Sequence, residues 1–381
     1  MERVYIPVNP DVLRWFIEDS QVDILELDLR FPHLDDWLSN KNDPSLSQLE
    51  KLSSFLHIPF GQLLLNEPPK TNQFAVEFRT INSKLPHSPS KNLSDVLNTM
   101  DRNSQWMSEY RLSQGYKPIG FIGGFKNMNT FEALVTEARS LLNLESIWFQ
   151  NVRDSAAALS LLRERMESLG VLIMFSGIVG ANTKRKLEIN EFRAFSLVDH
   201  YAPVVFINSN DSPSGRLFSL MHEFFHLFLG EDSIVTEPYD QAKAETVCNE
   251  AAAEFLAPRQ YIDTVWTASD DAYLQTQRLS STFHISPLAT VIRLNHLKYV
   301  GASLVEKIRE ETEEALKRLT ASRDGGGGNF WNTKLYGISH PFAEAVICEA
   351  KSGNIPYVEA YRFLGVSKGS VFDSYAEKVC G

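Results

Sequence analysis

Positions 217–229 read Leu-Phe-Ser-Leu-Met-His-Glu-Phe-Phe-His-Leu-Phe-Leu. A stretch this apolar belongs in a core, yet it carries three ionisable side chains, His222, Glu223 and His226. An unpartnered polar group in such surroundings costs roughly 1–3 kcal/mol, so whatever fold forms must bring partners to all three. The run 216–229 has the length and composition of a helix. On a helix the i, i+4 spacing sets both imidazoles on one face about a turn apart, where one tetrahedral cation takes both. The competing reading is a pair of core histidines satisfied by protein groups alone.

A third ligand follows from phase on the next helical segment, 240–257, which ends before Pro258 as a helix should. At about 100° per residue, Glu245, Cys248, Asn249, Ala252 and Leu256 share one side, while Glu250 and Glu254 face the other. Glu245, 19 positions beyond His226, is therefore the candidate, against the alternative that it pairs with Arg193 or Arg216. Asp232 ranks below it, because Gly230 sits one place late for a ligand reached through a glycine turn. Glu231 and Glu237 read as loop charges. With two histidines, one carboxylate and an open fourth position, zinc would lower the pKa of its bound water toward about 7 and polarise a carbonyl. Glu223 would take the water's proton and pass it to a leaving amine. The strand 203–207 could hold an extended peptide by edge pairing, and His200, Tyr201 and Tyr239 are candidates for stabilising the oxyanion.

Composition sets the background. A chain of 381 residues, 43% of them hydrophobic, allows two or three domains with sizeable cores. The net charge of −11 gives no general pull onto DNA or an anionic membrane. Three widely spaced cysteines, Cys248, Cys348 and Cys380, offer neither a disulfide framework nor a cysteine zinc cluster. No basic-then-apolar leader and no membrane-length apolar run is visible, so the expectation is a cytoplasmic protein. The fold class expected is α+β. Residues 1–70 read as an all-α helix-turn-helix bundle with helices at 11–20, 22–31, 34–40, 45–56 and 60–65. Residues 71–127 are a linker with a long helix from about 93 to 115 and a strand pair at 116–125. The catalytic domain is 128–265, with strands at 171–175, 192–197 and 203–207. A helical region, 266–320, and a C-terminal extension, 321–381, follow, with a flexible break at Gly325–Gly328.

Several of these stretches carry a resemblance. They are 186–197 (Lys-Leu-Glu-Ile-Asn-Glu-Phe-Arg-Ala-Phe-Ser-Leu), Asp199, Ala202 to Phe206, Asn208, the segment leading to His222 and Glu223, Glu245 to Asn249, and Ala252 to Pro258. Together they resemble the ImmA/IrrE family of zinc metallopeptidases. Residues 44–52 and 58–61 look like the XRE-type helix-turn-helix that precedes this peptidase in long members, and 326–333 with 360–366 look like their C-terminal extension. The resemblance implies a zincin-like domain with zinc on His222, His226 and Glu245, and Glu223 catalytic. It also implies a site-specific endopeptidase acting on a regulatory protein such as a repressor or antitoxin. The alternative is an antitoxin-like or transcription-regulating binding protein of a mobile element or toxin–antitoxin pair, with a structural zinc, a toxin partner or operator DNA, and a homodimeric state in keeping with its N-terminal domain.

Two departures stand out. Phe225 occupies a position where members often have a small residue, which predicts a tighter cleft. Residues 1–70 hold six basic and twelve acidic side chains, and the recognition segment presents Asp35 and Asp36, which argues against reading DNA by the usual Arg, Lys, Asn or Gln. A second helix-turn-helix-like segment, 277–299, carries Arg278, Arg293 and Lys298 and reads as a helical wall of the cleft rather than a DNA contact.

Overall fold

The apolar positions of the first seventy residues fall on one face each of a set of short helices. In a computed structural model these are α1 (Pro10–Ser20), α2 (Ile24–Arg30), α3 (Leu34–Leu38) and α4 (Leu46–Leu56), followed by a 3-10 turn, Phe60–Leu64. Val12, Leu13 and Phe16 from α1 meet Trp37 from α3 and Leu49, Leu52 and Leu56 from α4 in one core, the i, i+3, i+4 pattern of an amphipathic helix. The start of α4 is fixed by Gln48, whose Oε1 accepts from both the Ser45 N–H and the Ser45 hydroxyl at 2.8 Å.

The structure describes residues 4–20, 24–56, 58–69, 89–125, 130–230, 238–322, 335–366 and 368–380. The chain divides into two compact units, residues 1–76 with 86–95 and residues 77–85 with 96–381. The expected Gly325–Gly328 break lies outside the described residues, as do Glu231, Asp232 and Glu237. No described helix is long and apolar enough to cross a membrane.

The larger unit mixes helices with a small sheet, in keeping with an α+β class. After α5 (Lys91–Ser113) come α6 (Phe131–Leu141) and α7 (Ser155–Ser168), then β1 (Leu172–Ser176), β2 (Ile178–Val179), β3 (Asn182–Lys186), β4 (Ala194–Leu197) and β5 (Val204–Asn208). Next are α8 (Pro213–Leu229), α9 (Pro238–Leu256), α10 (Arg259–Val265), α11 (Ala272–Phe283), α12 (Pro287–His296) and α13 (Ala302–Ser322). The described chain closes with α14 (His340–Lys351), α15 (Tyr357–Phe363) and α16 (Gly369–Cys380). The sheet order is β1-β5-β4, with β1 parallel to β5 from Leu172↔Val204 and β4 antiparallel to it from Ala194↔Ile207. Helix α8 packs on β4 and β5 and against α7 and α9.

Two expectations are overturned. Residues 116–119 are irregular and 120–125 are turns, not a strand pair: N–H groups here are used elsewhere, Gly123 donating to Leu227 O at 3.0 Å and Phe125 to Phe228 O at 3.1 Å at the end of α8. The strand expected at 203–207 cannot hold a peptide at its edge, because β5 is buried along its length between β1 and β4. The C-terminal helices are tied in by Arg163 of α7, which is buried and donates to Tyr336 O at 2.5 Å and Ile338 O at 2.6 Å. Its guanidinium pairs with Glu167 at 3.1 Å and lies over the rings of Phe175 and Tyr336.

Candidate metal centre

Helix α8 is set by signals at both ends. Ser212 caps its N-terminus by accepting from Gly215 N at 3.0 Å, and Pro213 occupies the first turn, where its missing N–H costs nothing. Gly230 closes it in the left-handed conformation, φ 67°, donating to His226 O and Leu227 O. Between these caps every residue from Ser219 to Leu229 is buried. Phe225 is consumed in this core against Phe224, Phe228 and Phe255, so its bulk fills the space between α8 and α9.

His222 and His226 turn toward each other, Nε2 to Nε2 at 3.0 Å. Glu245 of α9 reaches both: Oε1 is 3.2 Å from His226 Nε2 and Oε2 is 3.4 Å from His222 Nε2. Ligating atoms of these three residues all lie within 4.8 Å of one another. A tetrahedral ion with ligand bonds of 2.0–2.1 Å has ligand–ligand edges of about 3.3–3.4 Å, close to the three separations observed. The donor set also fits a cation on its own chemistry. Two neutral imidazoles 3.0 Å apart can share one N–H in a hydrogen bond, whereas a central cation takes both lone pairs and the carboxylate together. The histidine side chains are 3% exposed and that of Glu245 is 23% exposed, so the cluster meets solvent on the carboxylate side. Arg193, the alternative partner for Glu245, instead pairs with Asp211 at 2.9 Å.

Ionisation follows the same geometry. Burial opposes charge on Glu245, but hydrogen bonds and charge from His222 and His226 outweigh it and hold the carboxyl well below its usual range. Burial likewise opposes charge on His226, and Cys248, Glu245 and Glu223 more than offset it, raising its pKa well above 6.5. The buried Cys248 thiol is itself pushed up by burial.

Glu223 is buried, and its Oε2 accepts a hydrogen bond from Ser196 Oγ at 2.9 Å. Ser196 was not singled out from sequence. A hydroxyl between Phe195 and Leu197 in an otherwise apolar strand was the available signal, since such a group needs a buried partner. Among the oxyanion candidates, His200 and Tyr201 lie between β4 and β5, where their carbonyls accept from Ile119 N and Arg111; the Tyr239 side chain lies outside the described residues. Arg293, considered for DNA, is buried and paired with Glu254.

Comparison with known proteins bears on this site directly. Residues 166–295 match the peptidase family described as the IrrE N-terminal-like domain. That span runs from the end of α7 through α12 and contains the whole cluster. Residues 338–378 match a second family, described only as a domain of unknown function. The radiation response metalloprotease IrrE of Deinococcus deserti is 36% identical over 72 residues, covering 17% of this chain and 26% of that relative. The chain thus spans about a quarter of that relative's length. Residues 166–295, which hold the cluster, are thus similar to the IrrE N-terminal-like peptidase domain.

Proposed function

We propose that the protein is a zinc-dependent endopeptidase whose substrate is a regulatory protein of the repressor or antitoxin kind. The observation that carries this reading is the convergence of His222, His226 and Glu245 to tetrahedral-edge separations, with a buried Glu223 between the two histidines in sequence. Zinc held by the three side chains would supply an activated water and a polarised carbonyl. The chain's own part is positional and acid–base. Helix α8 fixes the two imidazoles one turn apart, α9 brings the compensating carboxylate, and Glu223 holds a carboxylate beside them to accept a proton and return it to the departing amine.

A second reading concerns the smaller unit. Its surface carries a groove of about 990 Å³ lined by residues that include Tyr5, His33, Asp36, Trp37, Asp43 and Glu50. This supports a role in contacting a protein partner such as a toxin, with operator DNA disfavoured by the carboxylates and a homodimer the alternative occupant. The deciding experiment is the metal content of purified wild type beside His222→Ala and Glu245→Ala, followed by a comparison of cleaved proteins in cells carrying wild type or Glu223→Gln. One zinc per chain, lost in both ligand variants, with cleavage lost in Glu223→Gln, is the expected result. A folded wild type without zinc would refute the peptidase reading, and Glu223→Gln that still cleaves would remove Glu223 from the chemistry.

A further inference from the structure

Helix α8 supplies Glu223 but does not by itself fix how the carboxylate is rotated. A glutamate has three side-chain torsions, and the last, an sp³–sp² torsion, is broad and only weakly restrained by sterics. A group that must present one oxygen to a reacting proton needs that torsion held by something outside its own helix. The sheet provides it. Ser196, on β4 with no exposed surface, donates its hydroxyl to Glu223 Oε2 at 2.9 Å. Its backbone is in turn held by the antiparallel register Ser196↔Val205 against the buried central strand β5. We propose that Ser196 is a positioning residue for Glu223, anchoring one carboxylate oxygen to the rigid sheet so that the carboxylate keeps a single orientation beside the His222, His226 and Glu245 cluster.

This rests on the peptidase reading above but is separable from it. A serine with no role toward Glu223 could satisfy its buried hydroxyl on a backbone carbonyl instead, and alanine in its place would leave the surroundings of the metal unchanged. Here removal leaves a buried carboxylate one donor short. Ionisable groups that act on this locale include His222 and His226 on α8 and Glu245 and Cys248 on α9, and Ser196 meets Glu223 from the sheet as a neutral donor.

The test uses the full chain loaded with cobalt(II), whose visible spectrum reports its surroundings without any need for a substrate. Five proteins are compared: wild type, Ser196→Ala, Ser196→Thr, Glu223→Gln, and Ser196→Ala in the Glu223→Gln background. Cobalt affinity should stay within about twofold throughout, because no ligand is altered. At one fixed pH the visible bands of the cobalt protein should shift and broaden in Ser196→Ala, because the carboxylate beside the ion no longer keeps one orientation. They should return to the wild-type spectrum in Ser196→Thr, which restores the hydroxyl. In the Glu223→Gln background the Ser196 substitution should have no effect on the spectrum. An unchanged spectrum in Ser196→Ala, or an effect that persists without the Glu223 carboxylate, overturns the proposal. Wild type that takes up no cobalt fails the metallopeptidase reading instead, a result distinct from a cobalt protein indifferent to Ser196.

Discussion

Helix α8 has to stop one turn after His226, and the way it stops yields a sharp comparison between two glycines. Gly230 has φ 67° and Gly123 has φ 69°, so an L side chain at either would carry a left-handed penalty of about 1–2 kcal/mol. Space separates them. A Cβ at Gly230 would lie 2.5 Å from Gly123 Cα and 3.2 Å from Gly123 N, both backbone atoms, whereas a Cβ at Gly123 would lie 3.5 Å from Gly230 Cα, an ordinary contact. The backbones cannot easily part, because the Gly123 and Phe125 N–H groups donate to Leu227 O and Phe228 O. Forcing atoms into such a place adds about 1–3 kcal/mol. Gly123→Ala should therefore cost about 1–2 kcal/mol and Gly230→Ala roughly 3–4 kcal/mol. In a unit of this size 1 kcal/mol moves the melting point by about 2–4 °C, so calorimetry should separate the two variants by about 4–8 °C, with Gly230→Ala the lower. Zinc affinity should weaken in Gly230→Ala as well, since His226 O is one of the acceptors of the Gly230 N–H. Equal losses at the two positions would refute the argument, since only the backbone approach distinguishes them.

Three further outcomes are expected. Tyr375 is buried, and burial pushes its hydroxyl up to about 12 from 10.0. The folded value lies above the unfolded one, so its contribution is complete below pH 10 and lost as pH rises toward 12. That is about 3 kcal/mol in all, roughly half of it gone by pH 11, and urea midpoints from pH 9 to 11 should fall more steeply in wild type than in Tyr375→Phe; parallel curves would contradict this. Arg163→Met removes the donors to Tyr336 O and Ile338 O and leaves Glu167 buried without its cation, a loss of about 3–5 kcal/mol. Hydrogen exchange in α14 to α16 should quicken while that of α8 holds, and unchanged exchange in those helices would defeat the idea of an Arg163 clamp. Removing bound metal with a chelator should destabilise the unit that contains α8 by about 4 kcal/mol if the ion had been present at a thousand times its dissociation constant, and so lower its calorimetric melting point. A melting point indifferent to chelation would mean that the cluster does not hold the ion in the folded state.

What could be read from sequence and what could not divide along a physical line. Helix α8 was legible because its signals are local: an apolar run, Ser212 and Pro213 at its start, Gly230 at its end, and an i, i+4 pair of histidines within it. Glu245 was reachable for the same reason, as one phase of a single helix placed it on the side shared with Cys248 and Ala252. Strand order is not local. The strand at 204–208 is apolar up to Asn208, which is consistent with an edge that binds a peptide or with a centre flanked on both sides, and only the pairing with β1 and β4 decides for the centre. Residues 116–125 misled because an apolar, glycine-interrupted run looks like paired strands, when its N–H groups are spent on the last carbonyls of α8, a hundred residues away in sequence. The hairpin β2–β3 went unseen because Asn182 to Lys186 are polar and show no alternation of buried and exposed positions. Ser196 and Glu223 sit 27 positions apart on a strand and a helix, so no periodicity links them. The buried hydroxyl in Phe-Ser-Leu nevertheless shows that a partner must exist. The same reasoning that asks a fold to satisfy His222, Glu223 and His226 within an apolar helix, applied to the strand beneath, leads from the metal cluster to the residue that orients its carboxylate.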